Sequence, residues 1–379
     1  MGAPGPLIDE SIEHAHTLPA EFYTEPKFLE LIREQVFARS WQLATDTDRL
    51  KVPGQVLPCT LMEGFLDEPL LFTRDAEDRV HCLSNVCTHR GNLLVEGEGH
   101  AQALRCRYHG RRFGLDGCFQ SAPGFEQARN FPSEADNLAC VPFGQWDKFL
   151  FVSINPRVGL DQAIGPLRER LDWLPLREFV LDPALSRDYL VNANWALYCD
   201  NYLEGFHIPY VHPDLASRLD TRAYRTELFS YANVQIGIAA GSDLCFELPP
   251  SSPDFGQAVA GYYFWLFPNT MFNFYPWGLS VNIVTPLAPA RTRVSFLSYV
   301  WDRSKLGRGA GAALDRVERE DEEIVEKVQK GIRSRFYERG RYSPQWEAGV
   351  HQFHRLLTRF LSEAGRESGN QDPSGSSSR

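Results

Sequence analysis

A chain of 379 residues, 43% of them hydrophobic, can build two or three domains with a substantial core. Its 39 basic and 49 acidic residues give a net charge of −10 with no basic block, which argues against nucleic acid as a partner. No run of eighteen apolar residues is present and the Met1-Gly2-Ala3-Pro4 start lacks a secretory pattern, so the expectation is a cytoplasmic protein that neither crosses nor enters a membrane.

Residues 7–40 carry helical spacing at Phe28, Leu29, Leu31, Ile32, Val36 and Phe37 and form an N-terminal helical segment, 1–40. From Trp41 the pattern turns to short alternating runs. Val52–Leu61, Pro69–Thr73, Val80–Val86, Ala103–Arg105, Arg112–Leu115 and Lys148–Ile154 read as strands separated by Gly, Asp and Pro, with Asp116-Gly117 as a hairpin turn. Residues 41–156 therefore form a small all-β domain.

That domain carries two matched loops. Cys87 and His89 make a Cys-x-His pair, Cys106 and His109 a Cys-x-x-His pair, and Gly91 and Gly110 follow them. Two thiolates and two imidazoles make a four-ligand metal site. A zinc finger usually presents two Cys and then two His, whereas one of each per loop suits a 2Fe–2S cluster with two His on one iron. Zinc is the competing reading. The other cysteines, Cys59, Cys82, Cys118, Cys140, Cys199 and Cys245, show no pairing pattern, as expected of reduced cytoplasmic thiols.

Pro156 to Pro183 reads as a connector with a short helix around Leu167–Leu171. Ser186–Asn192 follows as a strand and Trp195–Phe206 as a helix. Ala223–Ala240 reads as strands, and Gly261–Phe267, Met271–Tyr275, Ser280–Thr285 and Thr292–Val300 as an antiparallel meander. A long helix covers about 311–331, and a last one starts near Ser343-Pro344. The domain is placed at 157–364, and the Gly- and Ser-rich tail 365–379 is expected to be disordered.

The stretch from Asp200 to His212 is the second concentration of ligands. On a helix Asp200, Glu204 and His207 share a face, while His212 lies off it beyond Pro209. Two His need a carboxylate to complete a facial triad for non-haem iron. In the late helix, Leu314, Val317, Ile324 and Val328 form an apolar stripe, and Asp321 occupies its skipped position. The neighbouring acids Glu318, Glu320, Glu322 and Glu323 have a solvated face available. A buried acid must be paired or bound to metal. Spacing leaves open whether Asp321 binds a metal or pairs with an Arg or Lys.

Loops 87–89 and 106–109, the stretch 200–212 and Glu320-Asp321 through Gly331 together resemble the oxygenase component of Rieske non-haem iron oxygenases. Cys-Asp-Asn-Tyr-Leu-Glu-Gly-Phe-His-Ile-Pro-Tyr-Val-His is most similar to the choline monooxygenase branch, which handles quaternary ammonium compounds. The resemblance implies an α+β protein: an all-β Rieske domain and a helix-grip catalytic domain with an antiparallel sheet. It implies a 2Fe–2S cluster on Cys87, His89, Cys106 and His109, and mononuclear Fe(II) on His207, His212 and Asp321. Glu204 falls where the family keeps an acid between the metals. Asp200 and Asn201 are further candidates at the iron, with Asn201 steadying the site by hydrogen bonds or serving as a cap. One departure is Arg111, where the family commonly has Trp; it is expected to alter the surface that meets the electron donor or a neighbouring subunit.

The resemblance also implies O₂ as co-substrate, a ring-shaped homotrimer with electron transfer between subunits, and a separate NAD(P)H-dependent reductase or ferredoxin. The last fits the absence of a Gly-x-Gly-x-x-Gly loop in the sequence. Tyr263, Trp265 and Phe267 share a strand face and could hold an ammonium group by cation–π attraction, although ordinary core packing is the default for such rings. His351 and His354 read as surface histidines. Alternatives to a quaternary ammonium monooxygenase are an aromatic-ring hydroxylating dioxygenase, a Rieske electron-transfer protein and a zinc-stabilised binding module.

Overall fold

Residues 7–367 are described by a computed structural model. The chain divides into two units. One is Ala38–Arg157; the other joins the chain up to Phe37 with everything from Val158 onward.

The N-terminal segment is thus part of the larger unit. Its helices are α1 (Ala20–Thr24) and α2 (Pro26–Gln35), the second started by Pro26, whose fixed φ suits a first helical turn. Backbone bonds from Thr17 to Gly340 and from Ala20 to Glu338 tie the segment to the C-terminal region. The Phe37 ring lies 4.9 Å from Trp195, which in turn meets Phe353 at 5.6 Å. Rings so enclosed contribute about 1.5–3 kcal/mol each through burial.

The Ala38–Arg157 unit is all β. Its strands are β1 (Gln42–Asp46), β2 (Gln55–Leu61), β3 (Glu68–Arg74), β4 (Val80–Ser84), β5 (Gly99–His100), β6 (Leu104–Arg105), β7 (Arg112–Phe113), β8 (Phe119–Ser121), β9 (Phe143–Trp146) and β10 (Phe149–Val152). They form three antiparallel sheets, ordered β1-β10-β9, β4-β3-β2-β5 and β6-β7-β8. Leu71, Leu83, Leu104 and Phe113 fill the core, and Cys87 and Cys106 lie in that same core.

The larger unit continues with α3 (Leu160–Leu171), β11 (Val180–Leu181), β12 (Arg187–Val191), α4 (Trp195–Tyr202), α5 (Ile208–Val211) and α6 (Pro213–Ala216). Then come β13 (Arg225–Leu228), β14 (Ala232–Ile238), β15 (Val259–Leu266), β16 (Thr270–Tyr275), β17 (Gly278–Ala288), β18 (Arg291–Val300), α7 (Leu314–Gly331) and α8 (Ala348–Glu367). The connector helix begins earlier than the sequence suggested, and Pro166 sits inside it. The expected disordered tail falls outside the described residues beyond Glu367, and 365–367 continue α8. Among the described residues no helix is long and apolar enough to cross a membrane.

The sheet runs β11-β18-β17-β16-β15-β14-β13, with β12 also paired to β18. Its register aligns Gln235, Tyr263, Asn273 and Ser280 across β14 to β17. Directly opposed residues share a face, so this row of polar groups projects together. It faces α4: the Tyr202 hydroxyl donates to Asn273 Oδ1 at 2.9 Å, and Gln235 Nε2 donates to the Tyr202 carbonyl at 2.6 Å. Tyr262, one residue out of phase, points the other way and donates to Asp254, which pairs with Arg170 of α3. Helices therefore cover both faces, which is why β15 and β16 are buried throughout rather than alternating.

Two candidate metal centres

The two cysteine–histidine loops have one backbone design. Gly91 N–H donates to the Cys87 carbonyl and Gly110 N–H to the Cys106 carbonyl, both at 3.0 Å. Each Cys N–H donates five residues on, to Asn92 O at 2.9 Å and Arg111 O at 2.8 Å. Gly91 and Gly110 have φ of +73° and +77°, the left-handed region that closes each loop and that a Cβ disfavours. The cysteines point inward, each 2% exposed, while His89 is half-buried and His109 exposed. The two imidazoles stand side by side, ring centres 4.8 Å apart.

Burial raises both thiols, but the N–H groups of Tyr108 and His109 outweigh it at Cys106 and hold that thiol below its ordinary value. His89 N–H points likewise at the Cys87 sulfur. Donors converging on two buried sulfurs fit thiolates that ligate an iron–sulfur cluster and stabilise the negative charge it gains on reduction.

Arg111 does not reach the surface; it is 3% exposed. Its guanidinium lies 5.1–5.3 Å from the rings of Phe119, Phe125 and Phe131, a cage that a large aromatic side chain could equally fill. It donates to Thr88 Oγ1 at 2.8 Å and pairs with Asp136 at 3.2 Å. Thr88 lies between Cys87 and His89, so Arg111 ties one ligand loop to the other. The expectation of an altered outer surface is corrected: a buried charge is retained because Asp136 and three ring faces compensate it.

In the larger unit, α4 stops at Tyr202, short of the expected Phe206. Gly205 packs against Tyr224, and Pro209 opens α5. Glu204 ends the helix by accepting the backbone N–H groups of Phe206 and of His207, the latter at 3.1 Å. His207 and His212 consequently stand at the two ends of the one-turn α5, ring centres 5.2 Å apart. The shared helical face expected for Asp200, Glu204 and His207 does not exist.

Asp321 of α7 meets both histidines. Its Oδ1 lies 2.9 Å from His212 Nε2 and 3.6 Å from His207 Nε2. Ligand atoms of the three side chains fall within 4.8 Å of one another. Each ring is held from behind by an acid: Glu204 Oε1 lies 2.7 Å from His207 Nδ1, and Glu320 Oε2 lies 2.7 Å from His212 Nδ1. A carboxylate only accepts, so with a metal ion at the centre each Nδ1 would keep its proton against its acid and each Nε2 would turn a lone pair to the metal. Asn201 Nδ2 donates to Asp321 at 2.6 Å. Among the described residues no Lys or Arg pairs with Asp321, which removes the ion-pair alternative. His212 is 1% exposed. Burial disfavours its charged form, yet Asp321 and Glu320 raise its pKa, the mark of a site built for positive charge. Two imidazoles and one carboxylate fit a divalent iron.

Asp200 is not in this cluster. It accepts from Tyr23 at 2.9 Å and from His354 at 2.8 Å, and Tyr342 completes that network. His351 and His354 are buried, contrary to the surface expectation, with His351 on the Asp9 carbonyl at 2.8 Å. The expected stripe on α7 holds at its start, where Leu314 and Val317 line the cavity beside Asp321, but not at its end, where Val328 is 44% exposed and Val325 and Gln329 are buried instead. Glu318 and Glu320 also point inward, away from the solvated face assigned to them. Reading α7 by its apolar residues missed both.

A cavity opens beside His207, His212 and Asp321. Tyr198, Tyr202, Tyr224, Tyr263 and Tyr275 line it, with Gln235, Asn273 and Ser280 from the sheet row, Asn282 further along β17 and Glu318 from α7. Trp265 and Phe267 do not; Trp265 packs 5.3 Å from Phe353 in the core. The Glu318 carboxyl accepts from Tyr198 at 2.7 Å, and burial and then Asp321 push it up to about 8.

Residues 171–363 match the family described as ring hydroxylating alpha subunit (catalytic domain), and residues 40–132 match the Rieske 2Fe–2S domain. The second match decides against zinc. Choline monooxygenase of Spinacia oleracea is 30% identical over 92% of this chain and 79% of its own. The carnitine monooxygenase oxygenase subunit of Escherichia coli is 28% identical over 93% and 95%. A solved quaternary ammonium Rieske monooxygenase shares the fold with a TM-score of 0.75 at 24% identity, over 94% of this chain and 100% of that one.

Proposed function

The chain belongs to the Rieske non-haem iron oxygenases as an oxygenase alpha subunit, and from that premise we propose that it monooxygenates a small quaternary ammonium compound. It is a terminal oxygenase with a Rieske 2Fe–2S cluster and a mononuclear non-haem iron. In this reading Cys87, His89, Cys106 and His109 hold the cluster, and His207, His212 and Asp321 hold the iron. When bound, the iron activates O₂ and the cluster supplies electrons one at a time.

Glu204 and Glu320 keep the Nδ1 protons in place and aim the two imidazoles. Asn201 fixes the Asp321 oxygen. The tyrosine walls exclude water and offer ring faces to a cation. For a choline-type alcohol the balance is R–CH₂OH + O₂ + 2e⁻ + 2H⁺ → R–CH(OH)₂ + H₂O, the hydrate of an aldehyde. Both electrons come from a separate reductase or ferredoxin. Glu204, beside an iron ligand, is the acid through which a cluster histidine of a neighbouring subunit would connect, in a homotrimer. The eight unpaired cysteines suit a reducing cytoplasm.

The carrying observation is the tyrosine-lined cavity that opens on the His207–His212–Asp321 cluster. The test is a single turnover of chemically reduced holoenzyme with O₂ and choline, glycine betaine, carnitine or a simple aromatic, products read by mass. Product from an ammonium compound is expected. Product from the aromatic alone would transfer the enzyme to the ring-hydroxylating reading.

A further inference from the structure

We infer that substrate reaches the iron-site cavity through a second cavity in the larger unit, and that Leu314 and Glu318 of α7 form the partition between the two. This rests on the proposed function and adds to it a route and two residues that control passage.

The second cavity lies between the outer strands of the sheet and the start of α7. Tyr189, Trp277, Phe296 and Ser298 line it from the sheet side, and Gly311 and Ala312 from the segment before the helix. It is the roomier of the two, about 240 Å³ against about 80 Å³. Protein interiors are packed as densely as organic crystals, so a void of this size forgoes contacts that a purely structural core would make.

One floor runs under both cavities. The register carries Asn273 of β16 to Ser280 of β17 and on to Ser298 of β18. The next row on that face carries Asn282 to Phe296 and on to Arg187 of β12. In each row the residues toward the middle of the sheet line the iron-site cavity and those toward β12 line the second; Ser280 lines both. Directly opposed residues share a face, so the two cavities are one groove across the sheet. What divides it is α7, whose Leu314 and Glu318, one turn apart, line both cavities.

The groove reaches solvent at β12. Arg187 and Asp315 stand at that rim, both exposed and 3.6 Å apart, and exposed pairs of this kind hold weakly. The wall facing the sheet is built to yield. Gly307 and Gly309 hold left-handed φ of +70° and +64°, and α7 starts at Leu314 without a side-chain cap. Leu314 therefore sits on a helix end, where local opening costs least. Glu318, held by the Tyr198 hydroxyl at 2.7 Å, is the fixed half of the partition. The opposite end of the iron-site cavity carries Glu204 and His207. In the proposed homotrimer a neighbouring subunit's cluster meets that end, which leaves the β12 side for a small molecule.

A barrier on a route slows entry and exit alike and leaves the equilibrium untouched, whereas a wall of the binding site changes the equilibrium itself. Choline, glycine betaine and carnitine are each mixed with oxidised holoenzyme in a stopped-flow fluorimeter, and equilibrium binding is read by calorimetry. Ala312 lines the second cavity and not the iron-site cavity. Ala312→Trp should lower the association and dissociation rate constants of the bound compound together, about tenfold or more, as for binding that waits on a conformational change, with Kd unchanged. Leu314→Ala, which thins the partition, should raise the association rate constant. Wild-type association rates in both variants would overturn the inference and leave the proposed function standing. So would a weaker Kd for Ala312→Trp at an unchanged association rate, which would make the second cavity part of the binding site. No binding of any of the three compounds to wild type would remove the proposed function and this inference with it.

Discussion

Glu204 holds His207 twice, its Oε1 on the ring Nδ1 at 2.7 Å and its Oε2 on the backbone N–H at 3.1 Å. One carboxylate thus ends α4, orients a metal-facing imidazole and sets its tautomer. Glu204→Gln keeps the size but loses the charge that polarises the ring. Turnover should fall about 10–100-fold, the usual scale for losing such a support. Product formation and cluster reoxidation followed by stopped-flow absorbance check this; wild-type rates would refute it.

The proposed iron ligands and the proposed cluster ligands lie in different units. Asp321→Ala or His212→Ala should therefore abolish bound mononuclear iron while the visible spectrum of the cluster persists. Glu320→Gln should weaken iron binding about 10–100-fold. Iron content by elemental analysis, before and after a mild chelator, reads both effects.

Arg111 places a buried positive charge beside loop 87–89. Positive charge favours the reduced cluster, so Arg111→Trp should lower the midpoint potential, on the order of tens of millivolts. Its partner Asp136 has a carboxyl held below its ordinary value, first by the Ser133 N–H and then, against burial, by the Ser133 hydroxyl and Arg111. A depressed folded-state pKa contributes stability above the unfolded value and loses it as pH falls through the folded one. The contribution of Asp136 to holding loop 87–89 should therefore persist until pH falls below the ordinary carboxylate range. In Asp136→Asn the cluster should be less stable at neutral pH, and its acid loss should lack that component.

A Cβ on Gly205 would come within 2.6 Å of the Tyr224 ring, which stacks on Tyr263 at 6.4 Å. Gly205→Ala must move that ring or the turn that carries His207. The expected cost is about 1–3 kcal/mol, read as a lower melting temperature, together with reduced single-turnover yield. Unchanged values for both would mean that Tyr224 yields freely.

The ligand motifs were legible because their geometry is local. Cys-x-His and Cys-x-x-His loops, and two His flanking Pro209, bring donors together within a few residues whatever surrounds them. The alternating runs before residue 157 and the meander after 260 were legible for the same reason, since strand period is a short-range property. Arg111 was visible as a departure, but its reason was not, because Phe119, Phe125, Phe131 and Asp136 meet it only after folding.

Helix rotation was beyond the sequence. Adjacent residues on a helix point about 100° apart, so packing alone sends Asn201 to Asp321 and Asp200 to His354. The same holds on α7, where apolar spacing put Val328 inside and Glu318 outside, and the fold does the reverse. The amino-acid sequence by itself determined which side chains can bind metal and in what local pairs. Spacing on α7 already singled out Asp321 and left open whether it bound a metal or an Arg or Lys; only the tertiary structure decided that, setting it 2.9 Å from His212, 109 residues away in the chain, and bringing Glu320 behind the same ring by helix packing.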